Sequence, residues 1–256
     1  LTALDDADLV AHLDSCLSLA QRGQQIHFRL FMSFAQRLYR LHSLVGDELG
    51  WEDTAIAAMF AGHSPATRAA EDAMGHLRER VRNHPGAVAA LEGDPGHPIE
   101  VLVGFDEGLA AEVGAWIDEH GWAMVNYDAG VPVLAERPRM ITRLLVHEPE
   151  PTDFSGADSA ADEARRALPA ARRAEFDGAL AQARELYALR EDNTIVVGDR
   201  PFALLRRWML VAADRLVARG TIPANSDAAY LTVDELRGAI AGGASDDLTE
   251  HVVRRR

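Results

Sequence analysis

The sequence contains no lysine: all 26 residues counted as Lys or Arg are Arg. That absence removes several chemistries together. A P-loop needs its Lys, Schiff-base catalysis needs an amine, and kinase-type ATP sites hold a Lys on the phosphates. Cysteine is almost missing as well. Cys16 stands alone, so neither a disulfide framework nor a Cys-based metal site is available, and helix packing is its expected role. Aromatic residues make up only 6% of the chain, while Ala and Leu dominate the apolar set. Strands prefer β-branched and aromatic residues, so this composition favours packed helices. No apolar run approaches the ~20 residues that a membrane span requires.

Motifs of common catalytic folds are missing too. The sequence has no His-Glu-x-x-His pair, no Gly-x-Ser-x-Gly elbow and no Gly-x-Gly-x-x-Gly loop. No metal ligand set is expected. The formal net charge is −14, with 40 acidic residues. Such a balance repels phosphate backbones, so nucleic acid is not an expected partner. Arg254-Arg255-Arg256 is the one basic run, and membrane-surface binding is not expected either. The acidic opening Leu1-Thr2-Ala3-Leu4-Asp5-Asp6 does not resemble a signal peptide, and a cytoplasmic location is the default expectation.

What is present reads as an all-α chain with little or no β-structure. Apolar residues recur at threes and fours from Asp5 to Gly50, which predicts one very long helix or two stacked ones, with Gly23 marking a bend. A short helix is expected over Trp51–Ala61. Ser64-Pro65 offers an N-cap and a first helical residue for a helix that stops before Pro85. Another helix spans Glu107–His120, and 122–139 has no clean period. Residues 147–162 are rich in Pro, Asp, Ser and Ala, the composition of a linker between a first helical lobe (1–146) and a second (163–256). In the second lobe, helical runs flank Pro169, Pro201 opens an Arg-rich helix, and Thr232 with Glu235 forms a capping box.

The most distinctive stretch is Leu189–Leu236. A polar cluster, Arg190-Glu191-Asp192-Asn193, stands between two helical runs and is expected at a helix end. The Arg-rich helix, Gly220 and then Tyr230-Leu231-Thr232 follow in order. This succession resembles the helical connector of the phosphoenolpyruvate-synthase-like dikinases, a group that includes rifampicin phosphotransferase. A looser similarity covers most of the chain. Gln24-Gln25-Ile26-His27-Phe28-Arg29 resembles a family "HF.L" helix, and the segment from His120 through Tyr127-Asp128 to Pro138 resembles a family loop. The chain departs from the family at Ala123, where an Arg is usual, and at Thr194, where many members carry a second basic residue.

The resemblance implies a swivel mechanism. ATP phosphorylates a His on a mobile domain, which delivers the phosphoryl group to a small-molecule hydroxyl held by a helical domain such as this one. Arg190, Glu191 and His27 are the expected catalytic residues, and Asp192, Asn193, Arg29, Tyr127 and Asp128 are expected to bind the substrate. Arg supplies a planar fork for phosphoryl oxygens, and a carboxylate or imidazole can take the hydroxyl proton. The bland alternatives stay open: solvated charges at a helix end, a core His, a structural loop, and tryptophans that anchor cores. ATP and Mg²⁺ are expected for the whole enzyme, with none bound by this segment. No Gly-x-x-x-Ser-His swivel motif is present, so ATP-grasp and phosphohistidine domains are expected as partners in cis or in trans. The competing expectation is a stand-alone all-α ligand-binding or scaffold protein without catalysis.

Overall fold

A computed structural model of the chain describes residues 1–60, 62–124, 126, 128–147, 156–242 and 247–256. The described residues form an all-α structure with no strand. In chain order the helices are α1 (Asp6–His42), α2 (Asp53–Ala58), α3 (Pro65–Asn83), α4 (Ala87–Gly93), α5 (Pro98–Val103), α6 (Glu107–His120), α7 (Pro138–Val146), α8 (Gly156–Ala167), α9 (Ala170–Asn193), α10 (Arg200–Ala218), α11 (Val233–Ile240) and α12 (Thr249–Arg255). No helix among the described residues is long and apolar enough to cross a membrane.

Two long rods organise everything else. The first is α1, a single helix of 37 residues, about 55 Å long at the standard rise. Asp5 caps it by accepting the Asp8 N–H at 2.8 Å, and a π-helical turn, Ser43–Asp47, extends it. The second rod is α9 and α10, joined without a break by a π-helical segment, Thr194–Asp199. The rods run antiparallel. Leu9 and Leu13 of α1 share a core with Trp208 of α10, while Leu41 shares another with Phe176 of α9.

The continuous second rod refines one expectation. Arg190-Glu191-Asp192-Asn193 ends α9, but the chain runs on into a widened turn and then α10 without a loop. The cause is visible in the sequence. Pro201 has no N–H, and its ring crowds the carbonyl four residues earlier, that of Val197. The wider turn lets that carbonyl lean away from the axis. It leans toward Gly23 of α1, whose missing side chain leaves the room it needs. Gly23 is therefore a point of close approach in an unbroken helix, rather than a bend.

Three cores result. The first joins α1, α10, α11 and the 3₁₀ turn Asn225–Tyr230. The second joins the end of α1 with α2, α8 and α9. The third is built within α3 to α7 around Leu91, Leu102 and Leu109. Two of the three cores thus draw on both sides of the expected division at 147–162. Residues 156–162, expected as linker, begin α8, where Ala157 and Ala161 are buried; residues 148–155 lie outside the described set.

Specific polar ties fix the rods and loops. Trp208 donates its indole N–H to the Leu9 carbonyl at 2.7 Å. The buried Arg206 grips both carboxylate oxygens of Glu136 at 2.5 and 2.6 Å and also donates to the Ala129 carbonyl at 3.0 Å. That fork holds the loop between α6 and α7 against α10.

Candidate functional site

A candidate site lies between α9 and α1, on the α9 side of the widened turn. Arg190 extends over the ring of Phe34 from α1, with its guanidinium carbon 5.3 Å from the ring centroid. One Nη lies 3.0 Å from Glu191 Oε1. Arg190 Nε is buried and has no hydrogen-bond partner among the described residues. Phe34, Phe60 and Tyr187 form an aromatic triangle with centroid separations of 5.5 to 6.1 Å. Edge and tilted geometries of this kind add to the burial of the rings themselves.

Arg190 and the three rings wall a cavity of about 640 Å³, completed by Leu38, Tyr39 and Ile56. On another side of the cavity, His42 Nε2 and Asp53 Oδ1 are 2.9 Å apart, with His42 half-buried and Asp53 exposed. The ring of His42 lies so close to Gly46 that any Cβ there would strike it. Burial raises the Tyr187 phenol above its usual range. The Glu191 charge adds to that rise, and the Arg190 charge opposes it. The result is an apolar chamber with one cation in its wall and a carboxylate beside that cation. It suits a ligand with an apolar body and an oxygen-bearing edge.

Among the residues expected from sequence, the structure brings Arg190 and Glu191 together as an ion pair. Asp192 accepts the Ser64 hydroxyl at 3.1 Å, tying α9 to the start of α3. The Asn193 side-chain nitrogen is buried without a hydrogen-bond partner among the described residues. His27 is half-buried one turn beyond Gly23, on the face that meets the π-helical segment. Arg29 is exposed, and two residues of helix turn it away from that face. Asp128 belongs elsewhere: it is exposed, accepts the Gly130 N–H at 2.8 Å, and borders the Leu13 and Trp208 region. Tyr127 lies outside the described residues.

A second cavity of about 390 Å³ opens between α3, α6 and the π-helical segment. Trp116, Trp122, His120, Ile195 and Asp199 line it. Burial pushes the Asp199 carboxyl up to about 6, opposed by a hydrogen bond from the Met124 N–H. Among the described residues, no group of three His, Cys, Asp or Glu side chains is placed to hold a metal ion.

Sequence reasoning missed Phe34, Phe60, Tyr187, the His42–Asp53 pair and Asp199. The one local signal was on α9, where Tyr187 and Arg190 stand three apart and share a helix face. No family model matches the chain, and no curated protein matches it.

Proposed function

We propose that this chain is the substrate-binding and connecting part of a phosphoenolpyruvate-synthase-like phosphotransferase, and that it holds a small molecule bearing a hydroxyl group. The observation that carries the reading is Arg190, a cation over Phe34 in the wall of an aromatic cavity, paired with Glu191. The rings of Phe34, Phe60 and Tyr187 take the apolar body of the ligand. The Arg190 fork orients oxygens of an incoming phosphoryl group, and Glu191 takes the hydroxyl proton. His27, on the adjoining face of α1, is a further base or ligand to a substrate oxygen. On this reading ATP and Mg²⁺ belong to an ATP-grasp domain outside this chain, and a separate phosphohistidine domain brings the phosphoryl group. The location that accompanies this reading is cytoplasmic.

One observation favours a second reading, binding without catalysis. Thr194, where a second cation is usual in the family, donates its hydroxyl to the Arg190 carbonyl at 3.0 Å. The site then has a single cationic fork. The experiment that separates the readings supplies ATP-binding and phosphohistidine domains in trans with a panel of hydroxylated aromatic compounds. Phosphorylated product that depends on this chain supports transfer. Saturable binding of a panel member with no product under any combination supports the binding role.

A further inference from the structure

We infer that α1 carries a docking face for an acidic protein surface, an inference that goes beyond the proposed function and does not depend on it. The first observation is the charge distribution. The chain has 40 acidic residues and a formal net charge of −14, yet no Asp or Glu stands between Asp14 and Asp47. Arg22, Arg29, Arg37 and Arg40 all fall in that interval and all are exposed.

The second observation is the arrangement of apolar residues. Phe28, Phe31, Met32, Ala35 and Tyr39 recur at threes and fours, so they form one stripe along the helix. Phe28 is 61% exposed, Met32 58% and Tyr39 76%. The core-facing stripe, through Leu13, Ala20, Phe34 and Leu41, is a different one. This long helix therefore has two apolar faces, and the described residues cover only one. A contiguous exposed apolar face of this kind marks an interaction surface.

The cations choose the occupant. Arg22, Arg29 and Arg40 are spaced by seven and eleven residues, which places them in one row beside the apolar stripe. Arg40 approaches Glu175 at 3.4 Å. Among the described residues neither Arg22 nor Arg29 has a carboxylate within ion-pair distance. Two copies paired antiparallel through α1 by a two-fold axis would face arginines with arginines, and parallel pairing would offer them no carboxylate from α1 between Asp14 and Asp47. An anionic bilayer attracts the row but extends past it and repels the strongly acidic remainder of the molecule, whereas a protein surface can be confined to the row. An acidic protein surface with an apolar ridge satisfies both parts of the face. Ala35 and Tyr39 also border the 640 Å³ cavity, so a partner seated on the stripe reaches its rim.

The test uses the intact chain and a synthetic amphipathic helix with Leu along one face and Glu beside it. Binding is read by fluorescence anisotropy at low and high salt. The expected result is salt-sensitive binding that weakens about tenfold in Arg22→Glu/Arg29→Glu and in Phe28→Gln/Met32→Gln. A control pair on other helices, Arg139→Glu/Arg254→Glu, leaves the affinity within about twofold, and a peptide with Lys in place of Glu does not bind. All four α1 side chains are exposed, and circular dichroism verifies that each variant is folded. Equal binding by every variant overturns the inference. So does α1-dependent binding to phosphatidylserine vesicles without peptide binding, or self-association abolished by Phe28→Gln/Met32→Gln without peptide binding. None of these readouts involves phosphoryl transfer, so this inference and the proposed function fail separately.

Discussion

The Val197 carbonyl of the second rod points into the space where Gly23 of α1 has no side chain. Pro201 frees that carbonyl from the helix ladder, and Gly23 lets the rods close around it. The widened turn and the glycine are one device, formed by residues about 175 positions apart in the chain.

Gly23→Ala separates this device from ordinary helix propensity. In a solvent-facing helix interior the change stabilises by about 1 kcal/mol. Here the added methyl meets the Val197 backbone, and the expected outcome is a loss of about 1–3 kcal/mol. Urea unfolding of the two proteins, with the transition slope checked for constancy, decides between the signs.

Arg190→Met keeps the length of the stem over Phe34 and removes the charge. The cation–π contact at a partly open site is worth about 0.5–1 kcal/mol, so stability should fall by about that amount. Affinity for an oxygen-bearing ligand of the aromatic cavity should fall about tenfold or more. Thermal unfolding and calorimetric titration of the same preparations measure both quantities. A large loss of stability with unchanged ligand affinity would make Arg190 a structural residue only.

Asp199 predicts a pH effect of definite sign. Its carboxyl is raised to about 6 by burial, from 3.8. Between those values the folded protein holds a proton that the unfolded chain releases, so this group's contribution falls as pH rises from about 4 through 6. Asp199→Asn removes the ionisation and keeps a side-chain oxygen for the Met124 N–H. The variant should match the parent near pH 4 and exceed it at pH 7.5 by about 1 kcal/mol, a figure reduced because water reaches the carboxyl. Denaturant unfolding at the two pH values gives the comparison.

Glu235 shifts the opposite way. Arg255 first, then the Thr232 N–H, with further help from His251, holds its carboxyl well below the usual range. The bonds are short: 2.6 and 2.9 Å to Arg255 and 2.8 Å to Thr232 N. Through them Glu235 clamps α12 to the start of α11. A depressed carboxylate stabilises the fold above its unfolded pKa, and the contribution is lost as pH falls below that value. Glu235→Gln should lower stability by about 1 kcal/mol at neutral pH, discounted for partial exposure, and by less near pH 3. Hydrogen exchange of the α12 amides should quicken in the variant, and unchanged protection would remove the clamp.

Local signals in the sequence were read well where local chemistry decides. The helix from Glu107 to His120, the break at Pro169, the stop before Pro85 and the Thr232–Glu235 box all depend on residues within one turn of each other. The unbroken join between α9 and α10 was not legible, because a polar cluster, a Gly and a Pro resemble a break between helices. Packing against α1 keeps the helix going, and periodicity contains no record of that partner. The cavity was illegible for a related reason. Phe34, Phe60 and Tyr187 come from three distant segments, and each alone reads as a core aromatic. Arg190 and Glu191 were visible as a charged pair, but the ring beneath Arg190 was not. Thr194 follows the charged cluster directly, and its hydroxyl, bonded to the Arg190 carbonyl, gives it a local role.

The central claim is that Arg190 and Glu191 present a hydroxyl to a phosphoryl donor. The most direct measurement is the rate at which a phosphorylated histidine domain of a phosphoenolpyruvate-synthase-like enzyme loses its phosphoryl group. It is followed with and without this chain, across a panel of hydroxylated aromatic compounds. The account predicts that one class of compound accelerates the loss only when the chain is present, with the phosphoryl group recovered on the compound. Arg190→Met and Glu191→Gln should each abolish most of that acceleration. A rate that is the same with the chain, without it and with either variant, for every compound, would contradict the account.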